Sequence, residues 1–247
     1  KKINNKTNNF NKKTIAQITA LVNEMANKKK GSFFIITKEE DISNKYERLY
    51  PDPFSHKKIN IKLPHSNAPK KEYKIMFFSD LHLSPINDVR LLNSIIELNR
   101  KIKPDLILMG GDIVDDIPER LYNDKLDEKF SLLSAKLGKY ACVGNHEFIT
   151  GLEPSVKFLK DNNVNVLIDE VAVIDSFLQI VGRQDFSANR FSNLQRQELS
   201  ELLKKTDPMK PVIVLDHQPF NLKETSNFKI DLHLSGHTHH GQLFPGS

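Results

Sequence analysis

The sequence contains one cysteine, Cys142, and a chain with a single cysteine cannot form an internal disulfide bond. The fold must therefore depend on packing rather than on disulfide bonds. The absence of disulfide bonds favours a reducing compartment. The sequence also lacks the roughly 18 to 20 consecutive apolar residues that a membrane-spanning helix needs, because the longest apolar stretch near the N-terminus is only Phe33-Phe34-Ile35-Ile36. With 247 residues, 38% of them hydrophobic, the chain has the size of one large domain, or of one domain with an arm.

Acidic residues are scarce in the first part of the chain. Residues 1–74 contain 17 Lys and Arg against 7 Asp and Glu, whereas the remainder contains 19 against 24. Residues 1–74 therefore form a basic leader, and the remainder is acidic. This charge distribution favours binding of cations by the acidic part and of an anionic surface by the basic leader. The leader is open to two interpretations: a solvated tail rich in Lys and Asn, or a segment that contacts membrane phospholipid or nucleic acid.

Residues 1–70 are interpreted as a basic N-terminal arm with one helix. Thr14 begins this predicted helix with a capping-box pattern, and Gly31 follows its predicted end. Residues 37–69 mix charges with prolines, which indicates irregular structure with one short strand near residues 59–63.

Short apolar runs alternate with helical periodicity from Tyr73 onward, and this β-α-β rhythm predicts an α/β domain over residues 71–247. Predicted strands cover residues 75–78, 106–109, 140–143, 164–167, 171–174, 177–181, 212–215 and 232–235. Predicted helices cover residues 89–102, 125–137, 153–161 and 193–204.

Polar residues of the kinds that bind metals follow five of the predicted strands. Ligands of open α/β sheets bind at the C-terminal ends of the strands, where loops converge on a rigid frame. These segments therefore predict a site at that edge: Ser79-Asp80-Leu81-His82, Gly110-Gly111-Asp112, Gly144-Asn145-His146-Glu147, Asp216-His217 and Gly236-His237-Thr238-His239.

The spacing within two of these segments suits a shared cation. Asp80 and His82 are separated by one residue, so on an extended segment both side chains leave the same face. His237 and His239 have the same spacing after a strand. Such pairs are weak evidence alone, because Asp and His also serve as caps, turn residues and hydrogen-bonded core residues.

Two further residues supply oxygen ligands. The carboxylate of Asp112 has two oxygens and can bridge two cations, and Asn145 offers a neutral carbonyl oxygen. Each is also an ordinary turn former. Clustering is the stronger signal, since five of the nine histidines fall in these strand-end segments: His82, His146, His217, His237 and His239.

The ordered motifs resemble the full motif set of the calcineurin-like metallophosphoesterases. They are Asp-x-His, Gly-Asp-x-x-Asp over residues 111–115, Gly-Asn-His-Glu, a lone His after a strand, and Gly-His-Thr-His, and together they cover residues 73–244. The resemblance implies a four-layer α/β/β/α sandwich of two mixed sheets flanked by helices. It also implies a hydrolase of phosphodiester or pyrophosphate bonds that uses a hydroxide shared by two metal ions.

The resemblance implies a role for each motif residue. Two divalent metals are expected, manganese first, with iron, zinc and magnesium open. His146 would act as a general acid at the leaving oxygen, and Asp115 would orient neighbouring groups rather than bind metal. The implied metal ligands are Asp80, His82 and His239 for the first ion, Asn145, His217 and His237 for the second, and Asp112 as the bridge.

The segment Gly241-Gln242-Leu243-Phe244-Pro245 resembles the bacterial branch of small, often membrane-associated phosphodiesterases, some of which hydrolyse UDP-diacylglucosamine. A phosphorylated small molecule or a lipid pyrophosphate is the expected substrate, with an anionic membrane surface as a partner of the basic N-terminus and nucleic acid not expected. We expect a cytoplasmic or peripheral membrane protein. Both ends look trimmed, so any signal or anchor would lie outside this chain.

Two residues stand apart from the motif set. His240 occupies a position where these bacterial relatives usually have Gly, and an outward-facing side chain or a third metal contact is open there. Arg183 follows a strand and is predicted either to hold a substrate phosphate or to form a surface ion pair with Asp185.

Two alternative functions remain: a nuclease of the same fold, and a non-catalytic scaffold.

Overall fold

The computed structural model describes residues 33–37, 56–61, 73–85, 89–191, 195–220 and 222–237. The predicted N-terminal helix from Thr14 lies outside these residues, as do His239 and His240. Among the described helices, none has the length and hydropathy that crossing a bilayer requires.

The described residues form ten strands and eight helices. The strands are β1 (Phe33–Thr37), β2 (His56–Asn60), β3 (Ile75–Phe78), β4 (Leu106–Gly110), β5 (Lys139–Cys142), β6 (Val164–Val166), β7 (Glu170–Ile174), β8 (Leu178–Gly182), β9 (Val212–Leu215) and β10 (Leu232–Leu234). The helices are Val89–Ile102, Pro118–Asn123, Leu126–Phe130, Asn145–Ile149, Leu152–Asp161, Ala188–Phe191, Leu199–Leu203 and Leu222–Thr225.

The strands build two sheets. The first has six strands in the order β2-β1-β3-β4-β5-β6, and the second has four in the order β10-β9-β8-β7. The neighbours from β3 to β6 are parallel, as are β8, β9 and β10. The parallel strands of each sheet therefore end at one edge, and both edges carry the predicted site residues.

Alternating side chains of β3 face opposite sides of the first sheet. Met76 and Phe78 pack with buried residues of the helix Val89–Ile102, such as Leu92. Ile75 and Phe77 instead share a cluster with apolar residues of the second sheet. Burial on both faces explains why this strand is a continuous apolar run.

The second sheet is also buried on two sides. Ile213 and Leu215 of β9 face the first sheet, whereas Val212 and Val214 pack with Leu199 on the outer side. The layers are thus helices, first sheet, second sheet and a helix, which is the four-layer α/β/β/α sandwich expected from the sequence.

Several predicted elements change their bounds. The helix predicted over residues 125–137 is wrong beyond residue 130, because the described helix is Leu126–Phe130. A separate helix, Pro118–Asn123, precedes it, and Lys125 between the two has a left-handed backbone (φ 55°). The helix predicted over residues 193–204 is described only at Leu199–Leu203. The short strand expected near residues 59–63 lies at β2, three residues earlier.

Five described elements were not predicted: β1 and the helices Pro118–Asn123, Asn145–Ile149, Ala188–Phe191 and Leu222–Thr225. β1 is antiparallel to β3 and parallel to β2, so strands from the first 70 residues extend the first sheet. The division of the chain into an arm and a domain at residue 70 stays a prediction. The helix Asn145–Ile149 lies in a segment that was interpreted as a loop, and its first turn is held by the Glu147 carboxylate, which accepts a hydrogen bond from the Gly144 N–H at 2.7 Å.

Candidate metal centre

Predicted ligands from both sheets meet in the structure. Asp80 and Asp112 follow β3 and β4 of the first sheet, and His217 and His237 follow β9 and β10 of the second. Three groups of three side chains each have ligand atoms that all lie within 4.8 Å of one another. One is His82, Asp115 and His146; the other two are Asp80, His82 and Asp112, and Asp112, His217 and His237. Asp112 belongs to both of these last two groups, as its predicted bridging role requires.

The loops after β3 and β4 run side by side through backbone hydrogen bonds. The Asp80 N–H donates to the carbonyl of Gly111 at 3.0 Å, and the His82 N–H donates to the carbonyl of Asp112 at 3.0 Å. These hydrogen bonds fix the backbone positions of the two loops relative to one another.

The backbone of these loops is not extended. Asp80, His82, Asp112 and His237 have φ values of 55°, 46°, 51° and 70°, in the left-handed region that non-glycine residues seldom adopt. The argument that an extended segment places Asp80 and His82 on one face is therefore wrong, although their ligand atoms do converge. Such conformations cost roughly 1–3 kcal/mol each and often accompany functional sites.

Asp112 is almost completely buried between two imidazoles. Its Oδ2 lies 3.0 Å from Nε2 of His217 and 3.9 Å from Nε2 of His82, while its Oδ1 accepts the His146 backbone N–H at 2.9 Å. Burial acts to raise the pKa of Asp112, but the hydrogen bond and charge of His217 outweigh it and lower that pKa to about 2. The carboxylate is therefore ready to accept positive charge.

His217 is fully buried and has a defined orientation. Its Nδ1 donates to the carbonyl of Gly110 at 2.7 Å, so Nε2 is the nitrogen that faces Asp112 and lies 3.2 Å from Oδ1 of Asn145. Burial opposes a charged ring, but contact with the Asp112 carboxylate raises the pKa of His217 to about 10. The imidazole of His217, the carboxylate of Asp112 and the amide oxygen of Asn145 thus converge on one position, and this position favours a positive charge.

Asp80 links the first sheet to the loop after β10. Both of its carboxylate oxygens accept the backbone N–H of His237, at 2.9 and 3.2 Å. Gly236 makes this approach possible, because a Cβ atom there would lie 2.4 Å from Oδ2 of Asp80. The contact places His237 beside His217, with ring centroids 5.1 Å apart.

Asp115 contacts two histidines through their Nδ1 atoms. Its Oδ2 lies 3.1 Å from Nδ1 of His82, and its Oδ1 is in closer contact with Nδ1 of His146. Burial acts to raise the pKa of Asp115, but these hydrogen bonds hold it well below its usual range; the same contact with Asp115 raises the pKa of His146. Asp115, His82 and His146 also form a group that could hold a metal ion, so the predicted orienting role of Asp115 stays a prediction.

Glu147 is a residue whose role the sequence reasoning missed. It is completely buried, and its carboxylate accepts four backbone hydrogen bonds, from Gly144, Asp112, Ile113 and Val114 at 2.7, 3.0, 2.7 and 2.9 Å. It therefore fastens the loop after β4 to the start of the helix after β5. The signal was local: Glu147 stands three residues after Gly144, at the capping-box position.

Arg183 forms an ion pair, but not the predicted one. Its Nη1 lies 3.3 Å from Oδ2 of Asp216, its Nη2 donates to the carbonyl of Gln197 at 3.0 Å, and its side chain is only 12% exposed. The surface pair with Asp185 is wrong, because Arg183 and Asp216 follow the paired strands β8 and β9. Binding of substrate by Arg183 stays a prediction, as does metal binding by His239.

The donor set fits divalent cations. Carboxylate oxygens, imidazole nitrogens and an amide oxygen are ligands that manganese, iron and zinc all accept. In the described residues, two of the three ligand groups share the Asp112 carboxylate. Asp80, His82 and Asp112 would hold one ion, and Asp112, Asn145, His217 and His237 the other.

Comparison with known proteins is consistent with a site that binds metal ions. The sequence pattern of the family described as "Calcineurin-like phosphoesterase" matches residues 73–241. An "Uncharacterized metallophosphoesterase" of Aquifex aeolicus (strain VF5) is 38% identical over 70% of this chain and 65% of its own length. "Phosphodiesterase YaeI" of Escherichia coli (strain K12) is 32% identical over 69% of this chain and 62% of its own length.

The solved structure of a 5'-nucleotidase precursor from Thermus thermophilus is similar to this chain, with a TM-score of 0.45 and 14% sequence identity. The match covers 84% of this chain and 41% of the nucleotidase chain. The chain spans less than two thirds of the length of both curated relatives. Because the family pattern covers more than half of the chain, the chain belongs to the calcineurin-like phosphoesterase family.

Proposed function

We propose that the chain hydrolyses a phosphodiester or pyrophosphate bond at a site that holds two divalent cations. The observation that carries this proposal is the position of Asp112, whose carboxylate belongs to two ligand groups and lies near imidazoles from two different sheets. When bound, two such cations lower the pKa of a shared water and neutralise the phosphoryl oxygens.

The residues of the chain supply binding and orientation. Asp112 joins the two positions, while Gly110 orients His217 through its carbonyl oxygen. Asp80 fixes the backbone of His237. This preorganisation matters because catalytic groups must be held close to their productive geometry before substrate arrives.

His146 is the proposed general acid. Asp115 holds its Nδ1 and raises its pKa, so Nε2 carries a proton over a wider pH range than in a solvated histidine. That proton passes to the oxygen of the leaving group as the bond to phosphorus breaks. His146 is half-buried, and its ring lies 4.5 Å from that of His82 in an edge-to-face arrangement.

A diester is favoured as the substrate because one similar protein is named a phosphodiesterase. A pyrophosphate remains within the same proposal, since the bond to phosphorus, the attacking water and the protonated leaving oxygen are the same. Manganese is the proposed metal, in keeping with the mixed oxygen and nitrogen ligands.

The test is hydrolysis of bis(p-nitrophenyl) phosphate by protein that has been stripped of metal and then supplied with Mn²⁺. Turnover should require the metal and should exceed that of p-nitrophenyl phosphate. Asp112→Asn should abolish turnover while the fold persists, and the exposed Asp124→Asn should behave as wild type. Absence of turnover with manganese, iron, zinc and magnesium alike would refute the proposal.

A further inference from the structure

Asp185 is a buried carboxylate that the proposed mechanism does not use. It follows β8 and has no exposed surface. Its Oδ1 accepts two hydrogen bonds, from the backbone N–H of Ser187 at 2.7 Å and from Nε2 of Gln218 at 2.9 Å. Its Oδ2 is buried and has no hydrogen-bond partner among the described residues.

The charge of Asp185 also lacks an ion-pair partner among the described residues. The guanidinium groups of Arg183 and Arg196 both contact Asp216 instead. Within the part of the chain that the structure describes, Asp185 takes part in no ion pair. A buried charge without a counter-charge is unfavourable, so such groups are normally paired or lie near a metal.

The surroundings of Asp185 identify the missing counter-charge. Its hydrogen-bond partner Gln218 directly follows His217, and the carboxylate interacts electrostatically with both His217 and His237. Those two imidazoles form a ligand group with Asp112. A cation held by this group would bring positive charge to the two imidazoles with which Asp185 interacts.

We propose that Asp185 is a positioning residue for the second metal position. It fixes the loop of His217 through Gln218, and its charge stabilises the cation that Asn145, His217 and His237 hold. The inference rests on the proposed function, because it requires that a cation binds there. Residues outside the direct ligands commonly change metal affinity by about 10–100-fold when they are replaced.

Asp185→Asn tests this assignment with little change of shape. Asparagine keeps one oxygen for the Ser187 and Gln218 donors and removes the charge. Metal-free Asp185→Asn should unfold close to the temperature of metal-free wild type, because the hydrogen bonds from Ser187 and Gln218 are kept. Its affinity for the second Mn²⁺, measured by calorimetric titration, should fall about 10–100-fold.

Asp169→Asn is the matched control. Asp169 is also a buried carboxylate, but each of its oxygens accepts a backbone N–H, from Gln184 at 3.0 Å and from Gln197 at 2.7 Å. Asparagine must lose one of these hydrogen bonds. Its metal-free form should unfold at a lower temperature than wild type, with unchanged affinity for Mn²⁺.

The two proposals fail in different ways. Wild-type protein that binds fewer than two Mn²⁺ per chain would contradict the proposed function. Wild-type protein that binds two, together with an Asp185→Asn variant of equal affinity, would overturn the role of Asp185 alone. A metal-free Asp185→Asn variant that loses as much stability as metal-free Asp169→Asn would also overturn it, because that result indicates a purely structural residue.

Discussion

The carboxylate of Glu147 accepts a hydrogen bond from the backbone N–H of Asp112 at 3.0 Å. The same oxygen, Oε2, also accepts the N–H of Gly144, while Oε1 accepts those of Ile113 and Val114. Asp112, the predicted bridging ligand, is therefore held through its own backbone by a residue that belongs to none of the ligand groups. Loss of this contact should disturb both the fold and the site.

Glu147→Gln should destabilise the protein. Each carboxylate oxygen faces two N–H donors, so either orientation of the amide sets its NH₂ group against two donors. The free energy of unfolding should fall by about 2–4 kcal/mol, the range for buried hydrogen bonds lost from a charged acceptor. Urea denaturation measures it. The exposed Glu128→Gln should change it by less than about 0.5 kcal/mol, and an equally small change in Glu147→Gln would contradict the prediction.

Asp115→Asn should shift the pH dependence of turnover. The contact with Asp115 raises the pKa of His146, and a general acid acts only while protonated, so activity is lost as the pH rises through that pKa. Without the carboxylate charge the pKa falls, and the alkaline limb of kcat should move to lower pH. An alkaline limb that stays in place in the variant would show that His146 does not titrate there.

Arg196→Met should be strongly destabilising. Both Nη atoms of Arg196 contact the buried carboxylate of Asp216, and its guanidinium stacks 4.0 Å above the ring of Phe186. Removal of one partner of a buried pair costs about 3–5 kcal/mol, although Arg183 also contacts Asp216 and should reduce the loss.

Arg120→Met provides the contrast. Arg120 pairs with Asp116 at 3.3 Å, but its side chain is 61% exposed, and exposed pairs contribute about 0–1 kcal/mol. Urea denaturation of both variants should therefore give a much larger loss for Arg196→Met. Similar losses in the two variants would show that the Asp216 cluster contributes no more than a surface pair.

Gly144→Ala should damage the metal centre more than the fold. A Cβ atom at Gly144 would lie 2.2 Å from Oδ1 of Asp112, so the carboxylate must move. Displacement of a catalytic group by about 1 Å typically lowers turnover on the order of 100-fold. Turnover and Mn²⁺ affinity should both decrease.

Gly138→Ala is the control for backbone strain alone. Gly138 has a φ of 101°. The atom nearest to a Cβ added there would be in the Tyr140 ring, at 3.2 Å, away from the predicted ligands. Its stability should fall by about 1–3 kcal/mol, while Mn²⁺ affinity stays unchanged. If Gly144→Ala kept wild-type Mn²⁺ affinity, the close packing around Asp112 would not be what holds the ligand in place.

Local patterns predicted the regular parts of the fold. The strand over residues 75–78 and the helix over residues 89–102 have the predicted bounds, because apolar runs and helical periodicity are properties of neighbouring residues. The helix Asn145–Ile149 was missed because it is only five residues long and polar at its start. The end of the helix Leu126–Phe130 was missed because residues 131–137 contain no glycine or proline.

The sequence by itself determined which residues are candidates for the metal centre, since strand ends followed by Asp, Asn and His can be recognised locally. Tertiary structure decided how they are held. Glu147 meets Ile113 across 34 residues, and Arg183 meets Asp216 rather than Asp185 across 33, because neighbouring strands bring distant segments together. The left-handed backbone at Asp80 and Asp112 likewise depends on those long-range contacts, which no local pattern encodes.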